Sequence, residues 1–146
     1  MRRDLKNNIG IVQLLEPQDL VRTNTASKIL DVSQFGGAII EVQIGTITGV
    51  DGSNYLTPVL QESDTTTGSD FTTVAAVDVI GAFTVINSTA KDQTVQMVGY
   101  RGNKRYIRTN LVYTGSGISA GVIGVSGILG LPSFKPATAN AALTAS

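Results

Sequence analysis

Apolar side chains at every second position decide what this chain can fold into. In "AIIEVQIGTIT", residues 38–48, Ile40, Val42, Ile44 and, further on, Ile47 mark one face while Glu41 and Gln43 mark the other. That spacing belongs to a half-buried antiparallel strand, whose successive side chains point to opposite faces. "RYIRTNLVYT" repeats it: Tyr106, Arg108, Asn110 and Val112 point one way, and Arg105, Ile107, Thr109, Leu111 and Tyr113 the other. In "ISAGVIGVSGIL" the alternation divides Val122, Gly124, Ser126 and Ile128 from Ile123, Val125, Gly127 and Leu129. Polar turn formers separate these runs, among them "GVDGSN", "DTTTGSD" and "NSTAKDQ". The pattern predicts an all-β protein of about eight strands, an antiparallel β-sandwich of jelly-roll type.

Prolines and glycines refine that expectation. "EPQDL" reads as a turn after a first strand at residues 8–15, and Pro58 inside "YLTPVLQES" marks an edge or a bulge because proline cannot donate to a ladder. "FTTVAAVDVIGAFTVI" reads as two short extended pieces around Gly81. Glycines at 121, 124, 127 and 130 lie in the last strand, where small residues on both faces imply close packing. The composition shift after Pro132, to "SFKPATANAALTAS", sets the boundaries as an N-terminal arm at 1–7, a sandwich domain at 8–131 and a C-terminal arm at 132–146 with Phe134 as its anchor.

The residues that most enzymes depend on are scarce. The 146 residues contain no cysteine and no histidine, which leaves no disulfide, no thiolate nucleophile, no Cys-ligated zinc site and no imidazole base. Glu62 and Asp64, two apart near a strand end, are the carboxylate pair that a glycosidase or a cation site would use, but two acids beside a Thr/Gly/Ser turn are far more often solvated. The calcium-loop spacing is missing around "DGSN" and "SDTTTGSD". The expectation is a non-enzyme without cofactor or metal. No apolar run approaches the length of a membrane-spanning helix, and the interrupted opening "MRRDLKNNIGIVQLL" makes a poor signal peptide, so no membrane partner is expected.

Charge is segregated although its sum is zero. Between Ile29 and Val98 there are eight acids against one base, Lys91, which leaves minus seven there and plus seven elsewhere. The positive surplus concentrates in "MRRDLK" and in "GYRGNKRYIR", where Arg101, Lys104, Arg105 and Arg108 surround a Gly-Asn turn. Cations interleaved with Tyr100 and Tyr106 are also the vocabulary of single-strand nucleic-acid binders. Aromatics at 5% of the chain, a pI near 6.1 and an acidic centre argue against a polyanion partner. Complementary surfaces on protein subunits fit better, with Arg2, Arg3, Lys6, Arg101, Lys104, Arg105, Arg108 and Phe134 as the partner-binding candidates. The plain alternative is a hairpin with its tyrosines packed and its cations in water.

Three stretches, "DLKNNIGIVQLLEP", "LTPVLQESDTTTGSDFTTVAAVDVIG" and "VGYRGNKRYIRTNLVYTG", resemble the small β-sandwich proteins encoded among the head genes of tailed bacteriophages, over roughly residues 4–130. The resemblance implies an auxiliary capsid protein, of the decoration, cement or head-stabilisation kind, located on the virion capsid surface after synthesis in the host cytoplasm. Its partners would be the major capsid protein and neighbouring copies of itself. A tail or head–tail connector component is the nearest rival. A carbohydrate-binding module is a further one, limited by four tyrosines and no tryptophan.

Overall fold

The computed structural model describes residues 4–19 and 22–146. The described residues form ten strands: β1 (Ile9–Asp19), β2 (Thr25–Ala26), β3 (Leu30–Asp31), β4 (Phe35–Thr48), β5 (Tyr55–Ser63), β6 (Thr72–Thr73), β7 (Val79–Ile80), β8 (Thr94–Tyr100), β9 (Tyr106–Thr114) and β10 (Ala120–Pro132). Three single 3-10 turns are the remaining helical structure among the described residues, and no helix there is long and apolar enough to cross a membrane.

Two antiparallel sheets result. Sheet A runs β1-β10-β4-β8-β7, and sheet B runs β2-β9-β5-β6 with β3 also pairing β9. Since β2 and β3 follow one another along β9, they act as one interrupted strand, and β7 adds a two-residue fringe to sheet A. What remains is eight strands that pass back and forth between two four-stranded sheets, with the first and last strands side by side. That is the jelly-roll winding.

The alternating positions meet between the layers. Val12, Ile40, Val42, Val98, Val125 and Leu129 come from sheet A, and Leu56, Leu60, Ile107 and Leu111 from sheet B, all buried in one cluster. β10 presents Ile123, Val125, Gly127 and Leu129 inward. The glycine is there for space: a Cβ on Gly127 would lie 2.7 Å from Leu30 Cδ2. At Gly124, on the other side of the strand, a Cβ would sit 3.3 Å from Pro17, whereas at Gly130 it would meet nothing within 4 Å.

Two local readings are corrected, and the edge reading of Pro58 holds. "EPQDL" does not turn; β1 continues through Pro17 to Asp19, with irregular register between Gln13 and Leu15 and between Leu15 and Gln18. An edge strand tolerates the missing proline donor, and bulges absorb the mismatch. Pro58 sits opposite Leu111 in regular register, on a strand whose other side pairs β6 only at Gln61 and Glu62. The stretch 71–86 is mostly a crossing between sheets, holding β6, a 3-10 turn at Ala76–Asp78, β7 and an isolated bridge from Ile86 to Leu56.

The segment after Pro132 lies along the sandwich. Leu143 and Ile29 exchange backbone hydrogen bonds of 2.9 and 2.7 Å, the Ala137 amide donates to Asn7 O, and the Ser146 amide donates to Thr66 O. Asn140 Nδ2 donates to the carbonyls of Asp31 and Ser33. Residues 4–8 form the turn that this segment reaches, while residues 1–3 lie outside the described residues.

Replacing Gly127 with alanine is expected to cost about 1–3 kcal/mol by overpacking against Leu30. Gly130→Ala on the same strand is expected to stay within about 0.5 kcal/mol of the parent. Urea unfolding with an unchanged m-value measures both.

Candidate functional site

The cationic segment is not the hairpin that its Gly-Asn turn suggests: β8 and β9 do not pair, and the segment crosses from β8 in sheet A to β9 in sheet B at one end of the sandwich. Its shape comes from Tyr100, whose buried ring lies against Gly102: a Cβ there would come within 2.5 Å of the phenol. The Tyr100 hydroxyl donates to Glu62 Oε2 at 2.5 Å and accepts from the Lys104 amide at 2.9 Å. Burial first, and then the Glu62 carboxylate, push this phenol far above its ordinary range, so it remains a donor. Gly102 therefore makes room for an aromatic ring.

Each cation of this connection has a partner within the chain. Lys104 pairs with Asp64, a contact exposed on both sides. Arg105 grips Asp31, with Nη2 to Oδ2 at 2.8 Å and Nε at 3.3 Å from both oxygens, and its guanidinium lies 5.0 Å from the Tyr106 ring centre. Arg108 stacks 4.2 Å from the centre of the buried Phe71 ring, donates from Nε to Gln61 Oε1 at 2.9 Å, and donates from Nη2 to Gly68 O at 3.0 Å. It clamps the 64–71 loop onto sheet B. Arg101 donates from Nε to Val77 O at 2.7 Å, and its terminal nitrogens have no partner among the described residues.

The acidic centre and the basic β8–β9 connection thus meet within one molecule. Asp31, Glu62 and Asp64 are three of the eight acids counted along the middle of the chain, and they receive Arg105, Tyr100 and Lys104. The pair Glu62 and Asp64 is thereby divided between two different anchors. For Asp31, burial raises the carboxyl pKa, but hydrogen bonds from Arg105 and the Ser33 amide outweigh it and hold the group below its usual range. In "DGSN", Asp51 Oδ1 accepts from the amides of Ser53 and Asn54, and Asn54 Oδ1 accepts from the Gly117 amide, which makes this loop a self-satisfied turn. Among the described residues no group of three acids is arranged to hold a metal ion.

Of the remaining candidates, Lys6 is exposed beside a hollow also lined by Leu5 and Ala137, and Phe134 stands 76% exposed just past β10. Arg2 and Arg3 lie outside the described residues. The structure therefore gathers Arg101, Lys104 and Arg105 at one tip, holds Arg108 against a side of sheet B, and leaves Lys6 and Phe134 apart from them.

Residue reasoning did not single out the outer face of sheet A. A hollow of about 680 Å³ opens there over Gly37, Gly99 and Gly130, walled by Phe35, Met97 and Arg101. The available signal was apolar residues on both phases of one strand, as in "AII" at 38–40 and "VQMV" at 95–98.

No protein-family model matches this sequence, and no curated protein matches it. Among solved structures, a chain from Bacillus endospore appendages, described as forming a novel family of disulfide-linked pili, is similar with a TM-score of 0.41 and 18% identity, covering 91% of this chain and 98% of that one.

Asp31 supplies a pH test. A carboxyl whose folded pKa is depressed adds stability above the unfolded value, near 3.8, and that stability disappears as pH falls through the folded pKa. Unfolding free energy is thus expected to drop more steeply below about pH 4 in the parent than in Asp31→Asn, with the two compared by urea titration across the acid range.

Proposed function

We propose that this protein is an auxiliary structural component of a tailed-bacteriophage virion, a jelly-roll subunit that adheres to the assembled capsid lattice and stabilises it by binding that lattice in preference to free capsid subunits. One observation carries the reading. The acids and bases best placed for chemistry, Asp31, Glu62, Asp64, Lys104, Arg105 and Arg108, are tied into bonds that hold the fold. What remains outward is suited to contact: an apolar sheet face, an exposed Phe134 and a β8–β9 connection fixed by Tyr100.

Adhesion by many weak, repeated contacts needs this kind of body. A subunit that binds a symmetric lattice gains avidity from repetition, so each contact can be modest provided the surface is rigid. The ion pairs at the β8–β9 connection provide that rigidity, and they shift the expected anchors from its cations to Phe134 and Lys6. The resemblance over residues 4–130 points to the head rather than to another assembly.

The carbohydrate-binding alternative is less well supported, because two of the four tyrosines, Tyr100 and Tyr113, face the interior and burial pushes the Tyr113 phenol up to about 12. Tyr55 and Tyr106, half-buried on β5 and β9, make a sparse platform.

The decisive measurement is copy number in purified virions by quantitative mass spectrometry. Abundance comparable with the major capsid protein is expected, and abundance matching a single ring would transfer the protein to the connector or tail. Phe134→Ser combined with Lys6→Glu is expected to weaken binding of the purified chain to stripped capsids about tenfold, equivalent to about 1.4 kcal/mol. Unchanged occupancy would remove these residues as anchors.

A further inference from the structure

The two sheets differ in what they show to solvent. Sheet B has the expected polar exterior, with Thr57, Gln61, Arg108 and Asn110 facing outward across the β5–β9 ladder. Sheet A does not. One unbroken row crosses all five strands on its outer side: Ile11 opposite Ile128, Ile128 opposite Ile39, Ile39 opposite Gly99, and Gly99 opposite Ile80. Ile11, Ile39 and Ile80 are 65%, 37% and 58% exposed, and Met97 and Val95 further along β8 are 60% and 58% exposed. An antiparallel sheet with a solvated face alternates apolar-in with polar-out, and contiguous apolar exposure on this scale marks an interaction surface.

We infer that this face packs against the same face of a second copy, about a two-fold axis that runs along the Ile11–Ile128–Ile39–Gly99–Ile80 row. The face matches itself under that operation. Rotation about the row leaves each strand over its own counterpart and exchanges the rows on either side. On one side lie Ile9, Gly130 and Gly37, and on the other Gln13, Ser126 and Glu41. On β10 and β4, Ser126 and Glu41 of one copy therefore come down over Gly130 and Gly37 of the other, as interdigitating sheets require.

Charge selects the same arrangement. Glu41 is the one charged residue within these rows, and it is brought over Gly37 of the second copy, at the hollow whose wall includes Arg101. Arg101 is the cation of the β8–β9 connection whose terminal nitrogens are unengaged among the described residues. Symmetry forms the Glu41–Arg101 pair twice. The chain's formal charge of zero also means that two copies approach without net repulsion.

The size is adequate for a reversible dimer. Four strands about 4.8 Å apart, over the stretch from Gly37 to Gln43 at about 3.3 Å per residue, together with the two residues of β7, project roughly 475 Å². Side-chain relief brings each side near the roughly 600 Å² of the smallest standard interfaces. The expected dissociation constant is in the micromolar range, which a shell of concentrated subunits would saturate.

This inference stands apart from the capsid reading, because it concerns the isolated protein. Sedimentation velocity over a concentration series is expected to show a monomer–dimer equilibrium. Ile39→Lys should raise its dissociation constant more than tenfold while the circular dichroism spectrum and melting cooperativity remain those of a folded β protein. As a second route that leaves the apolar row untouched, Glu41→Arg and Arg101→Glu should each weaken the dimer, and the two together should restore it. A concentration-independent monomer, a dimer indifferent to Ile39→Lys, or a charge swap that fails to restore association would each overturn the proposal. So would a monomer that uses this face to bind stripped capsids, a result that leaves the capsid reading intact.

Discussion

The closeness with which β10 approaches the opposite layer governs the architecture. This strand, the last in the sequence, lies between β1 and β4 and ties the first strand of the chain to the rest of sheet A. It can sit there because Gly127 leaves room for Leu30, which is completely buried beneath it. The ladder from Ile9 opposite Gly130 to Asp19 opposite Val122 joins residues more than a hundred positions apart. Closure of the core thus depends on contacts between the two ends of the sandwich sequence, and a fold dominated by such pairings gains its stability only after a large loop-closure cost. The tail after Pro132 then follows as a consequence, since β10 ends beside residues 4–8 and the chain can return along the sandwich to reach Ile29 and Thr66.

Electrostatics adds rigidity at one end more than it adds net stability. The Lys104–Asp64 pair is exposed on both partners, and surface pairs of that kind contribute little. Arg105 with Asp31 differs, because the Asp31 side chain is 11% exposed and its carboxylate is also held by the Ser33 amide. Together with Tyr100 on Glu62, these contacts bind the β8–β9 connection to β3 and to the end of β5. Opposite charges that are distant in sequence are complementary here inside one subunit, so segregation along a chain does not by itself announce an intermolecular surface.

How much of this the sequence revealed depended on whether a signal was local. The inward residues of β4, β9 and β10 were legible because alternation is a property of neighbours, and the two-layer class followed from their number and spacing. β1 was cut short because Pro17 looks like a turn until one knows that its strand lies at an edge. The cations around the Gly-Asn turn were visible, but their partners at Asp31, Asp64 and Gln61 are 40 to 74 positions away, and nothing local encodes that pairing. Gly102 looked like a turn glycine, and only the ring of Tyr100 explains it. The path of the tail was equally hidden, since its small residues carry no periodic pattern.

The outer side of sheet A is the place where local rules and the observed fold disagree, and such disagreements usually mark function. β4 carries Ile39 and Ile40 on opposite faces, and β8 does the same with Met97 and Val98. Strands that are apolar on both faces are characteristic of sheets covered on both sides. In β5 and β9, by contrast, Gln61, Arg108 and Asn110 keep the outer face polar. A single sandwich would need neither side of sheet A to differ from sheet B in this way. The asymmetry is what the proposed dimer requires of sheet A, a layer with sheet B of its own chain on one side and the same face of a second copy on the other.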